Sequence, residues 1–181
     1  MDEDLEYIKR FKEGDLGGFE MLVKKYQNRA LNIAYSLALN FSSAQDIAQE
    51  AFIKVYNNIA LFRAESKFSS WLYRIVVNCS YDYLRKNKHQ SIPLDDAIAV
   101  KLEYDAKTQD PFAKELVHWA LSKIPLEYRS AVVLREIEGL SYEDISRALK
   151  IGIGTVESRI FRGRQLLREA LLKRGVLKDA V

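Results

Sequence analysis

Arginine supplies the most conspicuous chemistry in this chain. Arg159, Arg162, Arg164 and Arg168 stand within ten residues and off the apolar stripe Val156, Ile160, Leu167 and Leu171, whose spacing is helical. A guanidinium bonds phosphate oxygens and also forks onto guanine O6 and N7, so a helix with an apolar back and an arginine face suits a DNA major groove. Four arginines alone make only a solvated face, and their surroundings have to decide. Catalytic chemistry is poorly provided for. Asp46 and Glu50 are one helical turn apart, as in an acid–base pair or a metal clamp, but no His-x-x-Glu pattern accompanies them. The two histidines, His89 and His118, lie in no ligand-spaced cluster, and the single cysteine, Cys79, rules out an intrachain disulfide or a cysteine zinc site. No catalytic residue, metal or cofactor is expected. Asp46 and Glu50 are left as part of a solvated or protein-docking face.

The elements that must position the arginines read as a helix-turn-helix. In GLSYEDISRALKIGIGTVESRIFRGRQLLREALLKR (139–174), Ser141 and Asp144 form an S-x-x-D cap, and Ile145 and Leu149 give the first helix an apolar face. Ser146 is small where two helices approach. Residues 150–154 turn the chain, and Thr155 is the expected cap of the second helix. Upstream, Phe112, Leu116, Trp119, Ala120 and Ile124 mark one helix, and Pro125 opens another through Tyr128, Val132, Val133, Leu134 and Ile137.

The N-terminal half is also helical throughout. Leu5, Ile8 and Phe11 space a short helix, and Phe19 to Leu37 carry a longer stripe whose start Gly17 and Gly18 are expected to fray. Ser42 with Gln45 reads as a capping box for a third helix, with Ile47, Ala51, Val55 and Ile59 inward. Phe62–Phe68 is a polar loop bracketed by two aromatics. In the helix after it, Phe68, Trp71, Leu72, Ile75, Cys79 and Tyr83 are expected inside. Ser70, Arg74, Asn78, Tyr81 and Arg85 fall on another face, offering donors to phosphates and bases and a ring for an unstacked base.

The resulting fold class is all-α: a helical domain at 1–90, a linker at 91–111, and a helix-turn-helix domain at 112–181. The formal net charge is only +3, but its distribution is uneven, with local balances of about +2, −3 and +4 over residues 1–92, 93–112 and 113–181. Two mildly basic bodies on an acidic strip fit two nucleic-acid-facing domains. The charged N-terminus has no signal-peptide character and no apolar run reaches membrane-spanning length, so a cytoplasmic protein without membrane insertion is expected.

Three segments, DIAQEAFIKVYNNI (46–59), FRAESKFSSWLYRIVVN (62–78) and LSYEDISRALKIGIGTVESRIFRGRQLLREAL (140–171), resemble bacterial RNA polymerase sigma factors, in the family's order. The two-body layout is similar to the extracytoplasmic-function (ECF) group. The resemblance implies a non-enzymatic factor that binds core RNA polymerase, recognises −10 and −35 promoter elements and helps open the −10 DNA. It implies that Asp46, Gln49, Glu50 and Phe52 dock on the β′ clamp helices, with a further contact at the β flap. It implies that Phe62, Arg63, Ser66 and Phe68 belong to the loop that captures a flipped −10 base. Tyr73, Arg74, Asn78, Tyr81, Asp82 and Arg85 then lie where the family holds the displaced strand, Asp82 by setting Arg74 or Arg85. Thr155, Glu157, Ser158, Arg159, Phe161, Arg162 and Arg164 become contacts to the −35 duplex. An acidic linker threaded through polymerase and an anti-sigma partner are also implied. Glu157 stands where many of the group carry a basic residue, and a carboxylate there is expected to shift −35 preference, since it accepts from cytosine N4 and repels phosphate. A duplex-binding repressor would need only residues 112–175, and it would leave 46–86 in this form unexplained.

Overall fold

Short polar side chains set where the N-terminal helices begin. In the computed structural model, which describes residues 2–87 and 111–176, Asp2 caps α1 (Glu3–Lys12) and Asp15 caps α2 (Leu16–Ala38). Asn40 caps α3 (Phe41–Asn58) by accepting from the Ser43 N–H at 2.9 Å. The Ser42–Gln45 capping box does not form. Asn40 takes the cap two residues earlier, leaving Ser42 exposed inside the first turn. A 3-10 turn (Ile59–Leu61) and an irregular loop lead into α4 (Phe68–Lys86). Contacts divide the chain into two units, Met1–Leu94 and Asp95–Val181.

In the first unit α2 packs on α1, α3 and α4, and α3 on α4. Its interior holds Leu22, Ile33, Leu37, Ile47, Val55, Ile59, Phe68 and Leu72, all at most 1% exposed. Each such side chain contributes about 1.5–3 kcal/mol through burial. The inward stripe expected on α3 is fully buried.

Gly18 reverses an expectation. It does not fray α2; it lets α1 close on it. A Cβ there would overlap the Tyr7 carbonyl oxygen and lie 2.9 Å from the Phe11 backbone nitrogen. The same crossing is fastened by Asp4, a buried carboxylate that accepts from the Tyr26 hydroxyl at 2.5 Å and from Lys25 at 2.7 Å. Burial and then Asp4 raise the Tyr26 pKa, and Asp4 followed by Glu3 raises that of Lys25.

The second unit holds α5 (Pro111–Ser122), α6 (Leu126–Val132) running into a π turn (Val133–Ile137), α7 (Tyr142–Leu149) and α8 (Ile153–Lys173). The Ser141–Asp144 cap forms as expected: Asp144 N–H donates to Ser141 Oγ at 3.1 Å, and that hydroxyl donates to the Asp144 carboxylate at 2.9 Å. Lys150, not a glycine, takes the left-handed conformation that ends α7, with φ +55°. Ser146 Oγ donates to the Ile151 carbonyl at 2.5 Å and pins the turn. Thr155 is not the cap of the second helix. The cap lies three residues sooner, at Gly152 ahead of Ile153, and its carbonyl accepts the Thr155 N–H. Gly163 marks a close approach of α8 to α6, where a Cβ would meet Val132 Cγ2 at 2.5 Å. The described residues contain no strand. The 91–111 linker, apart from Pro111, lies outside them, as does His89.

Candidate nucleic-acid interface

α4 presents one arc to the interior and another outward. Phe68, Leu72, Tyr73, Val76, Val77, Cys79 and Ser80 are buried. At about 100° per residue, Trp71, Arg74, Asn78, Tyr81, Asp82 and Arg85 fall on the opposite side. They are half-buried or exposed. Tyr73, at 1% exposure, belongs to the core and is not on the surface expected to hold DNA; the same holds for Ser70. Asp82 accepts from Arg85 Nη2 at 3.0 Å, so the carboxylate orients that guanidinium. Trp71 is expected inside from its spacing. It is half-buried on the outward arc, its ring 5.3 Å from Phe62 and 5.8 Å from Phe68. Cys79 is buried, and burial pushes its thiol pKa up.

The loop before α4 is built on those rings. Phe62 (6% exposed) and Phe68 (1%) face inward, so both bracket the loop as supports and neither is open to a strand. Arg63, Ala64, Glu65 and Lys67 are exposed between them, with Ser66 half-buried. Ala64 is held at φ +57°, a conformation L residues seldom adopt. The Phe62 carbonyl accepts from Lys12 Nζ at 3.0 Å, which ties the loop to the end of α1.

The four docking candidates on α3 separate. Gln49 and Phe52 line an apolar groove of about 550 Å³ between α2 and α3, with Phe19, Val23, Gln27, Leu31, Gln45, Ala48, Ile53 and Tyr56. Asp46 is exposed on the outer edge of the helix. Glu50 turns to the other flank, where its carboxylate pairs with Lys54 at 2.8 Å, which raises the Lys54 pKa. Phe52, Ile53 and Tyr56 form a second apolar stripe at helical spacing, of which only Phe52 is among the expected docking residues. Ile53 is 54% exposed and Tyr56 45%.

On α8, Val156, Ile160, Gly163 and Ala170 face the body. Glu157, Ser158, Phe161, Arg162 and Arg168 are exposed, as is Thr155 in the first turn. Phe161, 64% exposed, lies on that surface. Arg159 and Arg164 stand on its two edges, and both are engaged by carboxylates. Arg159 Nη2 donates to Glu127 Oε2 at 3.2 Å, and Arg164 donates from Nε and Nη2 to Glu136 Oε1 at 3.1 and 2.6 Å. Glu127 and Glu136 were not among the expected functional residues. Such exposed pairs stabilise a fold by only about 0–1 kcal/mol each. Among the described residues no group of three or more His, Cys, Asp or Glu could hold a metal, and no helix is long and apolar enough to cross a membrane.

The chain has counterparts among known proteins. The sigma-70 region 2 model matches residues 22–90, and the sigma-70 region 4 model matches 114–167. The RNA polymerase sigma-H factor of Pseudomonas aeruginosa is 35% identical, covering 94% of this chain and 94% of its own length. The ECF RNA polymerase sigma factor SigW of Bacillus subtilis is 36% identical over 91% of this chain and 94% of its own. Among solved structures, CnrH in complex with the cytosolic domain of CnrY aligns with a TM-score of 0.71 at 25% identity, covering 96% of this chain and 99% of that one. The sigma factor RpoE of Bartonella quintana, in complex with the anti-sigma factor NepR, gives 0.68 at 26% identity, covering 86% and 96%. The chain therefore belongs to the ECF group of bacterial RNA polymerase sigma factors, DNA-binding and non-enzymatic proteins that bind core RNA polymerase and direct promoter-specific transcription initiation.

Proposed function

We propose that the two units divide promoter recognition between displaced strand and intact duplex. The single observation that carries this reading is the outward arc of α4, where Arg74, Asn78, Tyr81 and Arg85 align beside an exposed loop held on buried rings. Cations and an amide bond phosphates and base edges, and tyrosine and tryptophan rings accept an unstacked base. Flipping a base out of duplex costs a few kcal/mol, so a loop that holds one base well favours melting at the matching −10 sequence. Arg63, Ser66 and the backbone around Ala64 are the groups of that loop best placed to contact it, with Trp71 as its floor.

α8 then reads the −35 element in the major groove. Ser158 and Arg162 offer hydrogen bonds to base edges, and Phe161 offers an apolar contact to a thymine methyl. Glu157 shifts the preference of that reader. Docking on the β′ clamp helices falls to the outer side of α3, with Asp46 and Gln49 polar and Phe52, Ile53 and Tyr56 as apolar anchors of the adjoining groove. The C-terminal unit also contacts the β flap, and the acidic linker threads the polymerase. An anti-sigma partner holds the factor inactive, a role supported by the anti-sigma complex of the related RpoE.

Programming core polymerase with this chain on a promoter library tests the reading. Initiation should come from one two-part consensus, and Asn78→Ala should change the selected −10 bases while leaving thermal unfolding unchanged. Unaltered −10 selection by that variant refutes the assignment of α4.

A further inference from the structure

The two carboxylates on the edge arginines point to a second layer of control over duplex binding. Glu127 lies in the first turn of α6 and Glu136 in the π turn, nine residues later, so on one continuous helix they would emerge half a turn apart. They reach Arg159 and Arg164 respectively, which bound the exposed arc of α8 that carries Phe161, about 220° wide at 100° per residue. The pairs do little for stability, because three of the four side chains are 43–55% exposed and Arg159 is 23% exposed. Their position has another consequence. Arg159 and Arg164 occupy the edges of a groove-binding helix, where phosphates run on either side of the major groove. A phosphate that takes either guanidinium must displace a glutamate and then sit near its negative charge.

We propose that Glu127 and Glu136 are specificity-determining residues that compete with DNA phosphates for Arg159 and Arg164. The inference rests on the assignment of α8 as the duplex reader. On arbitrary duplex both pairs stay closed and the sequence-blind phosphate contribution is withheld. On a matching element, base contacts from Ser158, Phe161 and Arg162 hold the helix deep enough for phosphates to replace the glutamates. Affinity for wrong sequences is thereby lowered more than affinity for the right one.

The test uses the full chain bound to core polymerase and two duplexes: the −35 segment of a promoter that the chain selects, and a shuffled version. Binding is measured across a salt series for the parent, E127Q/E136Q, E127D/E136D and R162A. E127Q/E136Q should bind the shuffled duplex at least about tenfold more tightly near 0.1 M salt, with a log–log salt slope steeper by up to about 1.8, the equivalent of two more phosphate contacts. Its discrimination between the duplexes should fall by a similar factor. E127D/E136D, which keeps both charges, should behave like the parent. Unchanged affinity and slope for E127Q/E136Q, while R162A still weakens selected binding, overturns the competition and leaves the reader intact. Full retention of selected binding by R162A overturns the assignment of α8 and the competition with it.

Discussion

Gly17 and Gly18 are adjacent in the first turn of α2, yet replacing each by alanine should move stability in opposite directions. Helix propensity favours alanine over glycine by up to about 1 kcal/mol at either position. At Gly17 the new Cβ would lie 3.0 Å from Asp15 Oδ1, the oxygen that caps α2, and 3.4 Å from Arg10 Nη2, side-chain ends that need give only a few tenths of an ångström with the cap kept. Gly17→Ala should therefore be neutral or stabilise by a few tenths of a kcal/mol to about 1 kcal/mol. At Gly18 the obstructing atoms are the Tyr7 carbonyl oxygen and, at 2.9 Å, the Phe11 nitrogen. Backbone atoms inside a helix cannot rotate away, so α1 must shift as a unit. Overpacking of this kind costs typically about 1–3 kcal/mol. Set against the propensity gain, Gly18→Ala should lose about 1–2 kcal/mol. The chain has two tryptophans, Trp71 and Trp119, one in each unit. Urea unfolding followed by Trp71 fluorescence in a Trp119→Phe background reads the N-terminal unit alone. Shifting α1 also disturbs the Lys12 bond to the Phe62 carbonyl, so open-complex formation should fall with stability. Equal stabilisation by both substitutions would refute the close-approach explanation of Gly18.

The remaining predictions concern caps, protons and promoter choice. Asn40→Ala should cost the N-terminal unit about 1 kcal/mol while Ser42→Ala stays within about half that, by urea unfolding, because only Asn40 caps α3. Burial and then Arg129 push the His118 pKa from 6.5 down to about 4. The unfolded chain thus binds a proton below about pH 6.5 that the folded unit refuses until about pH 4, and stability is lost progressively as pH falls between those values. The loss should be on the order of 3 kcal/mol, read by Trp119 fluorescence, and His118→Gln should flatten that part of the profile. Glu157→Lys should change the ranking of −35 sequences in a reporter panel; an unchanged ranking would leave that carboxylate without a role in recognition.

Much of this architecture was legible because it rests on periodicity. The stripe Ile47, Ala51, Val55 and Ile59 is buried as its spacing requires, and the Ser141–Asp144 cap forms as written. The misreadings have local causes. Asn40 and Ser42 are both good cap residues, and sequence alone does not say which one the chain enters through. Gly18 looked like a weak point because its use depends on the contact with α1, a partner that helix propensity does not include. Phe62, Phe68 and Tyr73, expected on the strand-holding surface, are buried, while Trp71 lies outward against Phe62 and Phe68. A 3.6-residue period sorts residues into faces but does not reveal how wide the buried arc is. The carboxylates on Arg159 and Arg164 come from 32 and 28 residues away in the chain, and no local pattern announces them.

Permanganate probing of a selected promoter tests the division of labour most directly, because it oxidises thymines that have left the double helix. With core polymerase and this chain together, thymines of the −10 segment should become reactive. Neither component alone should expose them, and Arg74→Ala/Asn78→Ala should abolish the signal while protection of the −35 duplex persists. Reactivity undiminished in that double variant, or full promoter protection by the chain without polymerase, would contradict the account.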